Sequence, residues 1–265
     1  MKNVMTRSVA VARRCVLPVI CSVALAPLGA AAQEQEPAPN NGTDPTRLTT
    51  SAVVAYEYND LDGGMERHSP RLDLTLPFGE KQDYSLRFRV PVVSNDIVGD
   101  DSFGLGDVSV TGTHVFGLTR QRGLVAQAEM IFDTASRDEL GAGKHVFKGT
   151  FIYARFLPKG IFAPALVHSL DVGGDSHRPD VNATTIDLYY VPKLADPRTF
   201  ITLDPALNLD WEKDARFGSV AITAGRVVGK AFGGVAQVYA KPSVMFGNER
   251  PGDWSLELGF KVLGF

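Results

Sequence analysis

Cysteine is nearly absent from this chain. The two that occur, Cys15 and Cys21, both lie in an N-terminal segment that reads as an export signal. The remainder has no thiol, which excludes a disulfide-stapled secreted domain and a thiolate metal centre. An excess of basic charge is also missing. With 27 Lys+Arg against 30 Asp+Glu the formal net charge is −3, so binding of nucleic acid through a basic face is not expected. The 5 histidines are scattered singly, with no spacing that would bring two onto one metal, and no cofactor is expected. Beyond Leu28 there is no long apolar run, and from Leu48 onward no stretch has the periodicity of a helix.

What is present begins with the N-terminus. Lys2, Arg7, Arg13 and Arg14 give a positive start, Val16–Leu28 is apolar, and Ala30, Ala31 and Ala32 supply small residues for cleavage. Met1–Ala32 therefore reads as a secretory signal peptide. The apolar part is too short and too interrupted, by Pro18 and Pro27, for a membrane-spanning helix. Cleavage before Gln33 leaves 265 − 32 = 233 residues and 27 − 4 = 23 basic against 30 acidic side chains. Gln33–Arg47 is polar and rich in Pro, Asn and Glu, the composition of a short disordered periplasmic leader.

From residue 48 to 265 the chain alternates apolar and polar residues in short runs separated by Gly, Pro, Asn and Asp. Leu72, Leu74, Leu76 and Phe78 alternate with Arg71, Asp73, Thr75 and Pro77, and Tyr84 to Val92 repeats the pattern. Period two puts successive side chains on opposite faces of a strand. Twelve segments emerge, near 48–58, 68–78, 83–94, 104–116, 122–133, 145–157, 161–172, 182–194, 199–211, 216–228, 232–246 and 253–265. Each exceeds the usual soluble strand of about 5–6 residues and suffices for a tilted membrane strand of about 9–11. Alternate connections are short, and those between them are mostly longer and more acidic, as in barrels with short periplasmic turns and long outer loops. The expected fold is all-β, a transmembrane up-and-down antiparallel β-barrel of about 12 strands, with both termini periplasmic. A soluble β-sandwich has no reason to sort its loops this way.

Three positions disturb the pattern. Lys148 shares a register with Val146 and Ile152, Arg155 shares one with Phe151 and Tyr153, and the terminal Phe265 is out of phase with Phe260 and Val262. A bulge or a lipid-headgroup position near the strand end would resolve the first two, and a kink at Gly264 the third. An aromatic C-terminus suits a barrel handled by the barrel-assembly machinery.

If the apolar face meets outer-membrane lipid, the opposite face lines the lumen. The candidate lumen or constriction residues are Arg71, Asp73, Arg87, Arg89, Asp107, Glu129, Asp133, Asp204, Lys241 and Glu257, and the same face carries Glu57, Asp187, Lys193, Asp210, Gln237 and Lys261. Arg87 and Arg89 share one face, and Pro91 beyond them offers no backbone donor. They are the best candidates for a selective constriction, with simple pairing across the lumen as the alternative.

Enzymatic readings fare worse. His68-Ser69 and His168-Ser169 are adjacent pairs, so on a strand their side chains point to opposite faces, unsuited to a serine nucleophile and its base. Asp96–Asp101 could attract a divalent cation but reads as a solvated loop. Asn41-Gly-Thr43 and Asn182-Ala-Thr184 match a glycosylation acceptor by chance.

Ser102-Phe-Gly-Leu-Gly-Asp-Val-Ser-Val110, preceded by Arg87-Phe-Arg-Val-Pro-Val92 and the Pro77-Phe78-Gly79 turn, resembles outer-membrane proteins labelled putative MetA pathway of phenol degradation, often called transporters. In that family Gly106 would relieve crowding and Asp107 would point inward. Here the ending Val262-Leu-Gly-Phe265 departs from the family's aromatic-Phe ending. The resemblance implies an outer-membrane barrel passing small, often hydrophobic or aromatic solutes. The expectation is thus a porin-like, non-enzymatic passive channel in the outer membrane of a Gram-negative bacterium. A closed structural or surface-interaction barrel working through its outer loops is the alternative, and an outer-membrane lipid hydrolase is a remoter one.

Overall fold

The computed structural model describes residues 40–97 and 102–265. The signal-peptide reading, the first part of the leader and most of the Asp96–Asp101 loop lie outside the described residues. Thirteen strand segments follow in chain order: β1 (Ser51–Leu61), β2 (Glu66–Phe78), β3 (Tyr84–Asn95), β4 (Ser102–Leu105), β5 (Ser109–Phe116), β6 (Arg122–Ile131) and β7 (Lys144–Leu157). They continue with β8 (Gly160–Gly174), β9 (Asn182–Pro192), β10 (Thr199–Asp210), β11 (Ala215–Ala231), β12 (Gly234–Phe246) and β13 (Gly252–Leu263). Every pairing is antiparallel between neighbours, and β1 pairs with β13 from Ser51↔Leu263 to Leu61↔Gly252, which closes the barrel. β4 and β5 both pair with β3, so they are two halves of one wall strand and the barrel has twelve. Closure leaves no free edge in the wall except at β4, which pairs with β3 alone.

The split falls at Gly106-Asp107-Val108 inside the segment expected as one strand. A Cβ at Gly106 would crowd Val93 and Pro91. The free edge of β4 is met by the long loop 132–143, where Ser136 N donates to Leu105 O at 2.9 Å and Phe132 N to Val108 O at 2.9 Å. This loop folds inward rather than outward. It ends in a 3₁₀ turn, Asp138–Leu140, whose Leu140 side chain is 1% exposed and lies against Gly104.

Connections sort by side only in part: 62–65, 211–214 and 247–251, at the end away from the termini, are no longer than several turns at the other. At the end carrying the termini the turns span 79–83, 117–121, 158–159, 193–198 and 232–233, while 132–143 and 175–181 are among the longer ones opposite. Phe232 and Gly233 both have positive φ, 51° and 85°, the backbone of a tight type I′ hairpin. The outer face is apolar and exposed, with Leu72, Leu76, Phe88, Phe151, Leu166, Leu207 and Leu258 among its members. Aromatic rows flank it. Phe78, Tyr84, His114 and Phe116 stack across β2, β3 and β5 at one rim, with Tyr84–His114 centroids 4.3 Å apart. Tyr56, Tyr58, His68 and Trp254 gather at the other. Two such girdles around an apolar band are the outer surface of a barrel in lipid. They also give His68 and His114 a place.

Two of the three disturbed positions resolve, and Arg155 is exposed on the outer face near the end of β7, in phase with Phe151 and Tyr153. Lys148 points inward, its Nζ 3.5 Å from Glu129 Oε2, because the inner wall here tolerates Val146 beside it. The β6–β7 register runs unshifted from Arg122↔Arg155 to Ile131↔Val146, so no bulge is involved there. Gly264 adopts φ +68° and its N–H donates to Thr50 O at 2.8 Å. That turn carries Phe265 into an outer apolar recess with Ala52, Val54, Phe232, Phe260 and Val262.

Candidate functional site

The inner wall is built by the odd-numbered residues of β1, β2 and β3 and their register partners. Asp73 and Arg89 are direct neighbours across β2–β3, as are Thr75 and Arg87. Arg89 grips Asp73 with two bonds, Nε to Oδ1 at 2.8 Å and Nη2 to Oδ2 at 3.0 Å. Arg71 reaches three carboxylates, Glu257 at 2.9 Å, Asp73 at 3.4 Å and Glu57 at 3.7 Å. Arg87 donates from Nη2 to Thr111 Oγ1 at 3.1 Å, and its Nε has no partner. Charge-assisted, two-pronged bonds of this kind fix side chains in one arrangement.

Further round the wall, Glu129 accepts from Ser109 Oγ at 2.7 Å besides pairing with Lys148. Lys241 lies 3.5 Å from Asp204, and Tyr239 Oη donates to Glu257 at 2.6 Å. Asp187 and Asp204 each keep one buried oxygen, Oδ1, without a partner.

Two cavities lie along the lumen. The outer one, about 240 Å³, is walled by Glu57, Asp187, Asn208, Ser219, Ser255 and Glu257 among others. The inner one, about 320 Å³, is walled by Arg71, Arg87, Arg89, Lys261, Gln237 and Tyr189 among others. Asp204 and Lys241 line both, so their ion pair stands at the boundary.

The wall alone does not shape the inner cavity. Asn41, Gly42 and Thr43 of the leader line it too. Two local turns fold this segment: Asn41 Oδ1 accepts from Thr43 N and Oγ1, and Asp44 Oδ1 accepts from Thr46 N and Oγ1. Asn and Asp commonly nucleate such turns. Tyr189 Oη donates to Thr43 O at 3.0 Å, and Thr46 is buried against Gly123. Residues 41–46, expected as part of a disordered leader, thus sit inside the end of the lumen that carries the termini. Composition could not show this, because the partners are far away in sequence.

Eight of the ten candidate residues stand along this lumen: Arg71, Asp73, Arg87, Arg89, Glu129, Asp204, Lys241 and Glu257. Asp107 and Asp133 stand apart. Asp107 lies in the break between β4 and β5, where it accepts from Thr134 N and Ala135 N, both at 3.1 Å, and from Ala142 N at 2.7 Å. It anchors loop 132–143. Asp133 is exposed at the loop base, its N–H donating to His145 Nδ1 at 3.1 Å. Both keep the alternation of their segments, but the strands end before them.

No known family profile matches the chain, and no curated protein matches it. Solved structures do. The COG4313 outer membrane channel from Pseudomonas putida F1 superposes with a TM-score of 0.70 at 14% identity, covering 87% of this chain and 100% of that one. A KdgM porin gives 0.54 at 9% identity, covering 79% and 98%, and a NanC porin gives 0.51 at 11% identity, covering 82% and 99%. At these identities what is shared is the fold: a closed twelve-stranded antiparallel barrel of the architecture seen in outer-membrane channels and porins.

Proposed function

We propose that the chain is an exported outer-membrane barrel that lets small solutes diffuse through a polar, charge-lined lumen, with selectivity set by Arg87, Arg89 and the acids around them. One observation carries this reading: inside a lipid-facing wall two cavities lie in series, separated by the Lys241–Asp204 pair. A packed structural barrel has no use for such cavities, whereas a diffusion path needs them. The likeness in fold to outer-membrane channels and porins supports it.

Planar-bilayer recordings of the purified full barrel test the reading. Discrete conductance steps are expected, and Arg87→Gln with Arg89→Gln should shift ion preference toward cations. A folded, heat-modifiable barrel that passes neither ions nor small solutes in liposome swelling would overturn it.

A second reading, a closed barrel acting through its outer loops, draws on the inward fold of loop 132–143 and the seat of residues 41–46. On that reading, deleting 134–142 abolishes function and leaves conductance unaltered.

A further inference from the structure

The charges around the inner cavity do not pair off. Five cations line it, Arg71, Arg87, Arg89, Lys241 and Lys261, against two carboxylates, Asp73 and Asp204. Glu57 and Glu257 reach Arg71 from the outer cavity and bring the carboxylates to four. Asp187, which lines the outer cavity with Asp204 and Lys241, makes five, so the totals match but the pairing does not. Glu129 and Lys148 cancel one another outside this set.

The unpaired cations can be located. Arg71, Arg89 and Lys241 each hold a carboxylate. Among the described residues Arg87 and Lys261 are paired with none within 4.0 Å, the limit of an ion pair. Both line the inner cavity, as does Asp73. Gln237, paired across β12–β13 with Lys261, is 0% exposed, yet neither its amide nitrogen nor its amide oxygen has a partner. Buried amides are almost always satisfied, so an orphaned one needs an explanation. It also borders the same cavity.

The rest of the wall is not purely polar. Val53, Tyr189, Phe200 and Tyr239 also line the cavity. A volume of about 320 Å³ is at the small end of ligand pockets. Asn41–Thr43 bound it, with Lys261 Nζ against Gly42, where a Cβ would collide with the ammonium.

We propose that the inner cavity binds a small organic monoanion, a carboxylate on a compact apolar body, with Arg87 and Lys261 taking the charge and the Gln237 amide completing its hydrogen bonds. The solute supplies the carboxylate partner that Arg87 and Lys261 lack. This deepens the channel reading and rests on it, because the solute must reach the lumen. The site gives the channel a resting place for its cargo between the leader and the Lys241–Asp204 pair.

Titration calorimetry on the full detergent-solubilised barrel tests this at constant ionic strength, with benzoate, acetate and benzyl alcohol as probes. Benzoate should bind at one site, with acetate and benzyl alcohol both weaker. Arg87→Gln and Lys261→Met should each weaken benzoate by about tenfold or more, as expected for hydrogen bonds to a charged group. Arg87→Lys, which keeps the charge, should retain part of the affinity. Heat-modifiable mobility on a gel confirms that each variant is folded. Equal binding of benzyl alcohol would overturn the charge assignment, and equal binding of acetate would overturn the apolar body. Absence of benzoate binding in a preparation that conducts in bilayers would overturn the site but not the channel. Binding without conductance would overturn the channel but not the site.

Discussion

Asp73 is the most heavily used carboxylate of the lumen: it is 5% exposed, accepts two bonds from Arg89 and one from Arg71. Asn in its place keeps the shape and removes the charge. The loss expected for Asp73→Asn, which weakens charge-assisted hydrogen bonds without deleting the side chain, is about 1–3 kcal/mol, read as a lower urea midpoint for loss of the heat-modifiable form. Removing one negative charge from an already cationic cavity should also raise anion preference in bilayers. A variant with wild-type stability and selectivity would show that Arg71 and Arg89 find equivalent partners elsewhere. Gly225 and Gly259 make a different point. A Cβ at the first would overlap the Phe200 ring, and at the second the Tyr239 ring. The two rings lie flat on the wall across neighbouring strands, which keeps the inner cavity open beside them.

Among the elements, loop 132–143 depends on two anchors. Asp107→Ala orphans the N–H groups of Thr134, Ala135 and Ala142, a loss of about 1–3 kcal/mol if they stay buried, and should expose the loop to limited proteolysis. Unchanged cleavage would show that the pairing of Ser136 and Phe132 with the β4–β5 strand suffices. The second anchor titrates. Ser102 Oγ donates to Glu139 Oε1 at 2.6 Å, and this bond holds the Glu139 carboxyl below the ordinary carboxylate range. A depressed folded pKa gives a contribution that is present above the unfolded value, about 4.3. It is lost as pH falls through the lower folded value. A spin label at Arg137 should stay ordered at neutral pH and loosen only in acid. In Ser102→Ala the bond is absent at every pH, so the label should be looser already at neutral pH and change less on acidification. The strands around this loop were legible in sequence, since period two and loop parity are properties of neighbouring residues. The break at 106–108, the inward fold of the loop and the seat of residues 41–46 were not. Each depends on a partner distant along the chain, such as Leu140 beneath Gly104 or Tyr189 at Thr43. Eight lumen candidates followed from alternation alone. Lys148 was obscured by its apolar neighbours, and Asp107 and Asp133 lie where the alternation outlasts the strand.

For the whole molecule, the leader and the seam between β1 and β13 meet at the same end. Residues 41–46 narrow the inner cavity without contributing a rung to the ladder, so a variant lacking them should keep its heat-modifiable fold and show higher single-channel conductance. Conductance equal to the intact chain would place the narrowest point elsewhere. Phe265 lies outside the wall, against Val54, Phe232 and Phe260. Removing it should lower the amount of barrel reaching the membrane while leaving the conductance of each assembled barrel unaltered; normal membrane levels would sink that idea.

The charges are also unevenly distributed around the circumference. Arg71, Arg87 and Arg89 stand on β2 and β3, whereas Asp187 and Asp204 stand on β9 and β10, about half a turn away in a wall of twelve strands. Glu57, Asp73 and Glu257 offset Arg71 and Arg89, and Lys241 offsets Asp204. On the channel reading, the unpaired Arg87 facing Asp187 therefore leaves a component of the field that runs across the passage. A simple ion gains little speed from such a field, but a solute with separated positive and negative ends is turned broadside as it crosses. Two isomers of equal size and net charge that differ only in their dipole moment should then pass at different rates, a form of discrimination that no measure of diameter or ion preference would reveal.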